Sequence, residues 1–391
     1  MIPYGRQDIS PADIAAVVEV LQSDWLTQGP TVVRFEQAVA EKVGANYAVA
    51  VNSATSALHI ACLALDLGHG DYLWTSPNTF VASANCGLYC GAKVDFVDIC
   101  PKTYNMDVDA LSLKLEQAAH AGTLPKVVIP VHFAGQSCDM AKIHALSERY
   151  GFKIIEDASH AIGGRFNDQL VGSGVYSDIT IFSFHPVKII TTGEGGMALT
   201  NNPGLAERMQ RLRAHGITRD PEQIQSPSPG AWYYEQIELG FNYRMTDIQA
   251  ALGLSQLQRL DEFLIKRQGI ASIYDEALAN LPLIRPFRQP NTYSAFHLYV
   301  IQLDKNHSKA NRTDLFAYLR EAGIGVNVHY IPVHYHPYYQ QAGFCRGNFP
   351  KAEFYYNNAI SLPMFVTLSD DDQNDVINAL QRYFDNLGVS S

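Results

Sequence analysis

Short apolar runs alternate with segments of helical periodicity over roughly the first 200 residues, and this alternation most constrains the fold. Several of the runs are continuously apolar, which is typical of strands buried on both faces of a sheet. Helical segments such as Ser53–Leu67 and Met140–Tyr150 separate them. This order predicts an α/β fold with a mainly parallel sheet sandwiched by helices. The predicted strands are Tyr47–Val51, Tyr72–Thr75, Lys93–Asp98, Lys126–Val131, Lys153–Glu156, Ile179–Phe182 and Gly196–Thr200.

The pattern changes near residue 215, which predicts a second structural unit. Thr218–Trp232 contains several prolines among polar residues, and this composition indicates a long ordered loop. Beyond it, a strong helical pattern is followed by shorter strand and helix patterns, including a predicted strand at Val326–Tyr330. We therefore expect a large α/β domain over residues 1–250 and a smaller α+β domain over residues 251–391.

Charge and hydropathy exclude several classes of protein. The 29 Lys and Arg residues against 39 Asp and Glu residues leave a net charge of −10, which argues against a nucleic-acid partner. No run approaches the roughly 20 apolar residues of a membrane span, and the opening MIPYGRQDIS lacks the apolar core of a signal peptide. The six cysteines form no C-x-x-C pair. We therefore expect a cytoplasmic protein with reduced thiols and no membrane contact.

The most informative segment is ITIFSFHPVKIITTGEGG, which covers residues 179–196. Within it, Lys188 lies between Val187 and Ile189. Apolar surroundings disfavour the ammonium form, so they lower the pKa of a lysine and release its amine as a nucleophile for a carbonyl group. Taken alone, Lys188 is better interpreted as a surface lysine whose stem covers apolar residues, which is the more common case.

An acidic residue stands at the end of one predicted strand. Asp157 follows the run FKIIE, and ligands of open parallel sheets bind at the carboxyl ends of the strands. A carboxylate there could pair with a pyridinium nitrogen, which allows a pyridoxal ring to accept electrons. His160 could reach a substituent of the same ring. Taken alone, Asp157 could be a helix N-cap and His160 a packing residue.

Small and hydroxyl residues follow the first predicted strand and open a helix at Asn52–Leu58. Backbone N–H groups at a helix N-terminus, together with the Thr55 and Ser56 hydroxyls, suit a phosphate. Ser183 could add a hydroxyl to the same site. Phe80 lies at another strand-to-helix junction and could pack against a flat ring, although an aromatic residue there is more often part of the core.

Metal, dinucleotide and hydrolase sites have weaker support. His329, His334 and His336 lie close together in sequence, but no acidic or cysteine ligand accompanies them within the segment, so we predict no metal site. There is no G-x-G-x-x-G after the first strand and no G-x-S-x-G anywhere.

In combination, these motifs are specific. The chain resembles fold-type I pyridoxal-phosphate enzymes and is most similar to the sugar aminotransferases of the DegT/DnrJ/EryC1/StrS family, in particular those of the pseudaminic acid pathway. The matching segments are LTQGP (26–30), NSATSALH (52–59), EDASHA (156–161), FSFHPVK (182–188), TTGEGG (191–196) and GFNYRMTDIQAALGLSQL (240–257).

The resemblance implies a fold-type I transferase with a seven-stranded sheet and pyridoxal 5'-phosphate as cofactor. It makes Lys188 the catalytic residue, which bonds to the cofactor and moves the substrate proton. It implies a homodimer with shared active sites, because Asn242 would reach the phosphate in the neighbouring subunit. The implied cofactor-binding residues are Ala54, Thr55, Phe80, Asp157, His160, Ser183 and Asn242. The implied sugar-binding residues are Tyr4, Trp25, Leu26, Thr27, Asn327, Val328, His329 and Tyr330.

The resemblance also implies the reaction. L-glutamate would give its amino group and leave as 2-oxoglutarate, and the group would pass to C4 of a UDP-4-keto-6-deoxy-N-acetylhexosamine. Three alternatives stay open: transfer to another nucleotide-linked sugar such as a UDP-4-keto-pentose, a regulator on the same fold, and a lysine lyase without cofactor. The presence of both Asp157 and Lys188 argues against the regulator.

Overall fold

The computed structural model describes residues 1–307 and 309–388. The helices are α1 (Pro11–Leu21), α2 (Pro30–Val43), α3 (Ala54–Ala64), α4 (Ala82–Tyr89), α5 (Val108–Ala121), α6 (Met140–Tyr150), α7 (Pro203–Leu212), α8 (Asp247–Gln258), α9 (Leu260–Ala277), α10 (Arg312–Glu321), α11 (Pro337–Gln341), α12 (Pro350–Asn358) and α13 (Asp370–Asn386). The strands are β1 (Tyr47–Val51), β2 (Tyr72–Thr75), β3 (Lys93–Phe96), β4 (Val127–Ile129), β5 (Lys153–Asp157), β6 (Arg165–Phe166), β7 (Gln169–Leu170), β8 (Ile179–Ser183), β9 (Gly196–Thr200), β10 (Ile217–Thr218), β11 (Glu235–Gln236), β12 (Leu283–Ile284), β13 (Thr292–Tyr293), β14 (Tyr299–Leu303) and β15 (Ala359–Leu362).

Seven strands form the central sheet in the order β1-β9-β8-β5-β4-β2-β3, which confirms the predicted α/β fold with its mainly parallel sheet. The neighbours from β8 to β3 are all paired in parallel, whereas β9 runs antiparallel to both β8 and β1. Successive residues such as Ile154 and Ile155 belong to apolar clusters on opposite sides. Helices therefore cover both faces, and the carboxyl ends of the parallel strands meet at one edge.

A second unit follows the large sheet. Strands β12, β14 and β15 form an antiparallel sheet, against which α9, α10 and α13 pack through a separate apolar cluster that includes Tyr274, Leu319 and Leu380. Helix α8 crosses the domain boundary predicted at residue 250, and that boundary stays a prediction.

The predicted strand at Val326–Tyr330 is absent from the structure. Asn327 makes only an isolated bridge to Ser361, and the chain then turns away from β15. The backbone N–H of Tyr330 instead donates to the Asn78 side chain of the large unit, 3.3 Å away. This segment therefore connects the two units rather than extending a sheet.

One buried arginine ties together separate segments of the second unit. Arg267, on α9, is 1% exposed and donates to the backbone carbonyls of Phe296, His297 and Met364. No carboxylate of the described residues forms an ion pair with it, and its burial lowers its pKa to about 10. Three carbonyl dipoles thus hold this guanidinium, and it fixes the loop ahead of β14.

Helix α2 depends on a distant acidic residue for its N-terminus. Its N-cap, Gly29, has no side chain to accept the first N–H groups, and Pro30 stands at the first helical position. The buried Asp247 carboxylate accepts from the backbone N–H groups of Gly29, Thr31 and Val32 at 3.0–3.2 Å. Its own N–H donates to the Thr27 carbonyl at 2.8 Å. The segments LTQGP and GFNYRMTD therefore form one hydrogen-bonded unit.

Replacing Asp247 tests how far the fold depends on this contact. Asp247→Ala leaves buried N–H groups without acceptors, so we expect a loss of about 3 kcal/mol of stability, and Asp247→Asn should lose less because one oxygen remains. The shift in the midpoint of thermal unfolding measures both. Asp261→Ala removes an ion pair with Lys42 in which the Asp261 side chain is 72% exposed, and this control should change stability by less than about 0.5 kcal/mol. Equal shifts for Asp247→Ala and the control would contradict the assignment.

Candidate active site

A cavity of about 950 Å³ opens at the carboxyl edge of the parallel strands. Its walls come from the start of α3, the first turn of α4, the ends of β5 and β8, and the segment Asn327–Tyr330 of the second unit. Tyr4 closes one side, because its carbonyl accepts from the Met364 N–H at 3.0 Å and holds the N-terminal segment there. The cavity therefore brings together residues that are far apart in sequence.

Lys188 lines this cavity with a half-buried side chain. Burial lowers the pKa of its amine from 10.5 to about 8, and the negative charge of Asp157 opposes that shift. No carboxylate of the described residues forms an ion pair with its Nζ. With a pKa of about 8, roughly a tenth of the amine is neutral at pH 7, and this fraction can act as a nucleophile or a proton acceptor.

Asp157 ends β5 and is 5% exposed. Its Oδ2 accepts from the Ser83 hydroxyl at 2.6 Å, and its Oδ1 accepts from the Ser159 N–H at 3.1 Å. The carboxylate is therefore held by a hydrogen bond at each oxygen while it still lines the cavity. A positively charged ring N–H is the kind of group that such an acceptor binds.

The start of α3 forms an anion cradle. The Ser53 side chain caps the N–H of Ser56, whereas the N–H groups of Ala54 and Thr55 make no hydrogen bond among the described residues. A Cβ at Gly196, on β9, would lie 2.5 Å from the Ala54 nitrogen, so only glycine permits this strand to approach the helix so closely. Ser183, at the end of β8, lines the same cavity. These donors fit a phosphate group.

His160 is 4% exposed and neutral. Burial, with Lys188 and His329 nearby, holds its pKa well below the usual value. Its Nδ1 accepts the Ala134 N–H at 3.3 Å, so the ring proton lies on Nε2, 3.1 Å from the Tyr330 hydroxyl. His160 therefore donates to Tyr330, and the proton of that hydroxyl remains available to another acceptor.

Two further buried histidines line the cavity. Burial and the charge of Lys188 lower the pKa of His329 to about 3, and its Nδ1 is paired with the Ser361 hydroxyl at 2.8 Å. His297 stands 4.3 Å from the His160 ring, between ring centroids, and its pKa is also held well below the usual value by burial and by His160. Neutral imidazoles thus surround the Lys188 amine, which avoids charge repulsion with it.

The structure brings most of the predicted site residues to this cavity. Those that line it are Tyr4, Ala54, Thr55, Phe80, Asp157, His160, Ser183, Lys188, Asn327, Val328, His329 and Tyr330. Trp25, Leu26, Thr27 and Asn242 do not line it and are exposed to solvent on the single chain. His160 already uses its Nε2 on Tyr330, so contact of His160 with a ring substituent stays a prediction.

Sequence reasoning missed several residues of the site. Ser83 is fully buried and lies in a segment of small residues, where nothing marks it as a partner of Asp157. One feature of the sequence could have indicated His297, because it is a single histidine just before the apolar run of β14. Gln249 and Glu194 also line the cavity, and the Gln249 amide donates to the Glu194 carbonyl at 2.9 Å.

The histidine cluster raised in the sequence is divided. His334 pairs with Glu353 at 2.9 Å, whereas His329 faces the cavity. Within residues 1–307 and 309–388, no three His, Cys, Asp or Glu side chains are grouped so that they could hold a metal ion. Among the helices described for this chain, none combines the length and apolar character that crossing a membrane demands.

Comparison with known proteins decides the family. A sequence profile of the DegT/DnrJ/EryC1/StrS aminotransferase family matches residues 7–381. The chain belongs to this family. The spore coat polysaccharide biosynthesis protein SpsC of Bacillus subtilis is 43% identical over 383 residues, which cover 97% of this chain and 96% of SpsC. The resemblance drawn from the sequence motifs is therefore confirmed at the level of the DegT/DnrJ/EryC1/StrS family.

Solved structures of the family share this fold. PseC of Helicobacter pylori, an aminotransferase involved in pseudaminic acid biosynthesis, superimposes with a TM-score of 0.90 at 30% identity, over 98% of this chain and 99% of PseC. Spr1654 of Streptococcus pneumoniae, provisionally assigned as a sugar aminotransferase, gives a TM-score of 0.89 at 32% identity, over 99% and 100% of the two chains. These matches confirm the predicted fold-type I architecture.

Spr1654 has been solved in forms that carry pyridoxal phosphate and pyridoxamine phosphate. The cofactor of this chain, as a member of the same family, is accordingly pyridoxal 5'-phosphate, as predicted. The cavity fits it in three respects: free N–H donors at α3 suit its phosphate, the Asp157 carboxylate suits its ring nitrogen, and the Lys188 amine suits its aldehyde.

The buried histidines make stability depend on pH. The pKa of His329 is about 3 in the folded chain and 6.5 when it is exposed, so the unfolded state binds the extra proton and stability falls as pH drops below about 6.5. Between pH 7 and pH 5 this histidine alone should cost about 2 kcal/mol. His329→Gln should flatten the dependence of the thermal midpoint on pH over that range. His120→Gln, at an exposed position, is the matched control, and equal slopes for the two variants would contradict the explanation.

Proposed function

We propose that the chain transfers an amino group from L-glutamate to C4 of a UDP-4-keto-6-deoxy-N-acetylhexosamine, as in pseudaminic acid biosynthesis. The observation that carries this proposal is the shared cavity of Lys188 and Asp157, beside a helix start with two free N–H donors. An amine with its pKa lowered to about 8 and a carboxylate at a strand end are the two groups that transamination with this cofactor needs.

Pyridoxal phosphate, when bound, supplies an electron-accepting ring that stabilises negative charge on the carbon carrying the amino group. The chain has to provide the remaining functions. Asp157 would hold the ring nitrogen, the α3 N–H groups would hold the phosphate, and Phe80 would pack on one ring face. Lys188 would remove the proton from the amino-bearing carbon and return it, because its neutral amine can accept a proton and its ammonium can donate one.

The sugar pocket in this proposal lies between the N-terminal segment and the second unit. Tyr4 and His329 stand with ring centroids 5.6 Å apart, and Asn327 and Tyr330 continue the same wall. PseC of Helicobacter pylori is an aminotransferase involved in pseudaminic acid biosynthesis, and its similarity to this chain supports an N-acetylhexosamine substrate.

The proposed active unit is a homodimer that shares its active sites. Asn242 and Leu26 are exposed on the single chain although they belong to the motifs that define the family resemblance, and Trp25, which precedes Leu26, is exposed as well. Contact with the cofactor or sugar of a neighbouring subunit would explain their exposure. Light scattering of the purified protein, with a mixture of Asn242→Ala and Lys188→Ala chains to test complementation between subunits, addresses this proposal.

Replacing Lys188 tests the central role. Lys188→Arg keeps a positive charge, but a guanidinium neither bonds to an aldehyde nor accepts a proton at neutral pH, so amino-sugar formation should fall by about a thousandfold or more. After borohydride reduction, the wild type should carry the cofactor mass on the peptide that contains Lys188, and the variant should not. Lys142→Arg, at a side chain that is 70% exposed, is the control and should retain full activity. Substantial turnover by Lys188→Arg would refute the proposal.

The sugar assignment has its own test. When the UDP-4-keto-6-deoxy-N-acetylhexosamine and a UDP-4-keto-pentose are supplied together at equal concentration, the hexosamine should be aminated at least tenfold faster. The masses of the amino-sugar products give this ratio, and 2-oxoglutarate release gives the total turnover. Preference for the pentose would overturn the proposed substrate and leave the aminotransferase activity intact.

A further inference from the structure

Residues 79–83, which lead into α4 and form its start, contribute two different groups to the cavity. Phe80 lines it with a ring that is 59% exposed, and Ser83 lines it with a hydroxyl on a fully buried residue. Phe80 comes just before α4, and its carbonyl accepts from the Ser83 N–H at 3.2 Å, so the position of the exposed ring and the position of that hydroxyl are set together.

The Ser83 hydroxyl has a defined direction. An ionised carboxylate only accepts hydrogen bonds, so in the 2.6 Å contact between Ser83 Oγ and Asp157 Oδ2 the serine donates its only proton. Thr79 Oγ1 lies 2.8 Å from Ser83 Oγ, and since the Ser83 proton is used, Thr79 must donate to Ser83. Thr79 is 2% exposed, and therefore water does not compete readily with this chain of hydroxyls.

The chain of hydroxyls orders one oxygen of the carboxylate. Asp157 Oδ1 is held by the Ser159 N–H of its own loop, whereas among residues 1–307 and 309–388 the one donor to Oδ2 is Ser83, from a helix 74 residues earlier. Without Ser83, the carboxylate could rotate about its side-chain torsion and Oδ2 would be a buried acceptor without a donor. Ser83 thus determines how Asp157 is presented to the cavity.

We propose that Ser83 is a positioning residue, which together with Thr79 orients the Asp157 carboxylate towards the ring nitrogen of the cofactor and fixes it relative to the Phe80 ring. This inference rests on the proposed role of Asp157. It predicts that the Ser83 hydroxyl affects the bound cofactor only through Asp157, because Ser83 has no charge of its own to place against the ring.

A double-mutant cycle tests this proposal on the apoprotein reloaded with pyridoxal phosphate. Ser83→Ala should weaken cofactor binding about tenfold and shift the pH at which the visible absorption of the holoprotein changes. Asp157→Asn should weaken binding more. Ser83→Ala added to Asp157→Asn should change binding less than twofold. Ser147→Ala, at a buried helical serine outside the site whose hydroxyl donates to the His144 carbonyl, is the matched control and should change neither.

The outcomes separate the two proposals. If Asp157→Asn leaves binding and absorption unchanged, the proposed role of Asp157 fails. If Asp157→Asn weakens binding but Ser83→Ala does not, only the positioning role of Ser83 is overturned. The same holds if Ser83→Ala weakens binding equally in the wild type and in Asp157→Asn. Should Ser83→Ala not fold, Thr79→Val carries the test, with a smaller shift of the absorption in the same direction, and unchanged absorption there would overturn the inference.

Discussion

Parallel pairing of neighbouring strands is the constraint on which the whole site depends. Because β8, β5, β4, β2 and β3 run in one direction, the residues that follow them emerge at a single edge of the sheet. Asp157 and Ser183 stand at the ends of neighbouring strands for this reason, 26 residues apart in sequence and in one cavity. Strand β9 runs back against this direction, and its start at Gly196 lies against the beginning of α3.

Burial and charge act together on the amine at the centre of this edge. Lys188 lies in a cavity with three buried histidines, His160, His297 and His329, which are neutral because burial lowers their pKa values and the lysine charge lowers them further. Because these imidazoles are uncharged, they add no positive charge that would lower the pKa of the Lys188 amine further than burial does. The cavity therefore holds many nitrogen atoms and little net positive charge, which leaves Asp157 as the nearby group that favours the ammonium form.

Much of the fold and of the site could be predicted from the sequence because both depend on local patterns. Apolar runs mark the strands, and residues directly after a strand reach the common edge, so Asp157, Ser183 and the α3 cradle were found together. Ser83 was not found because its partner is 74 residues away and the contact depends on how α4 docks on the sheet. The strand predicted at Val326–Tyr330 was wrong because tertiary contact to Asn78 replaced local pairing. In the proposed homodimer, the roles of Trp25 and Asn242 would depend on contacts beyond one chain, which local patterns do not specify.

The contact of Asp247 with the start of α2 has a consequence for anyone who recombines members of this family. The loop at residues 26–30 and the helix that begins at Asp247 lie more than 200 residues apart, yet they share a single set of hydrogen bonds. A chimera that exchanges the N-terminal forty or so residues would join a loop from one parent to an anchoring carboxylate from another. Crossover points that keep both segments from the same parent are therefore the ones most compatible with a folded product.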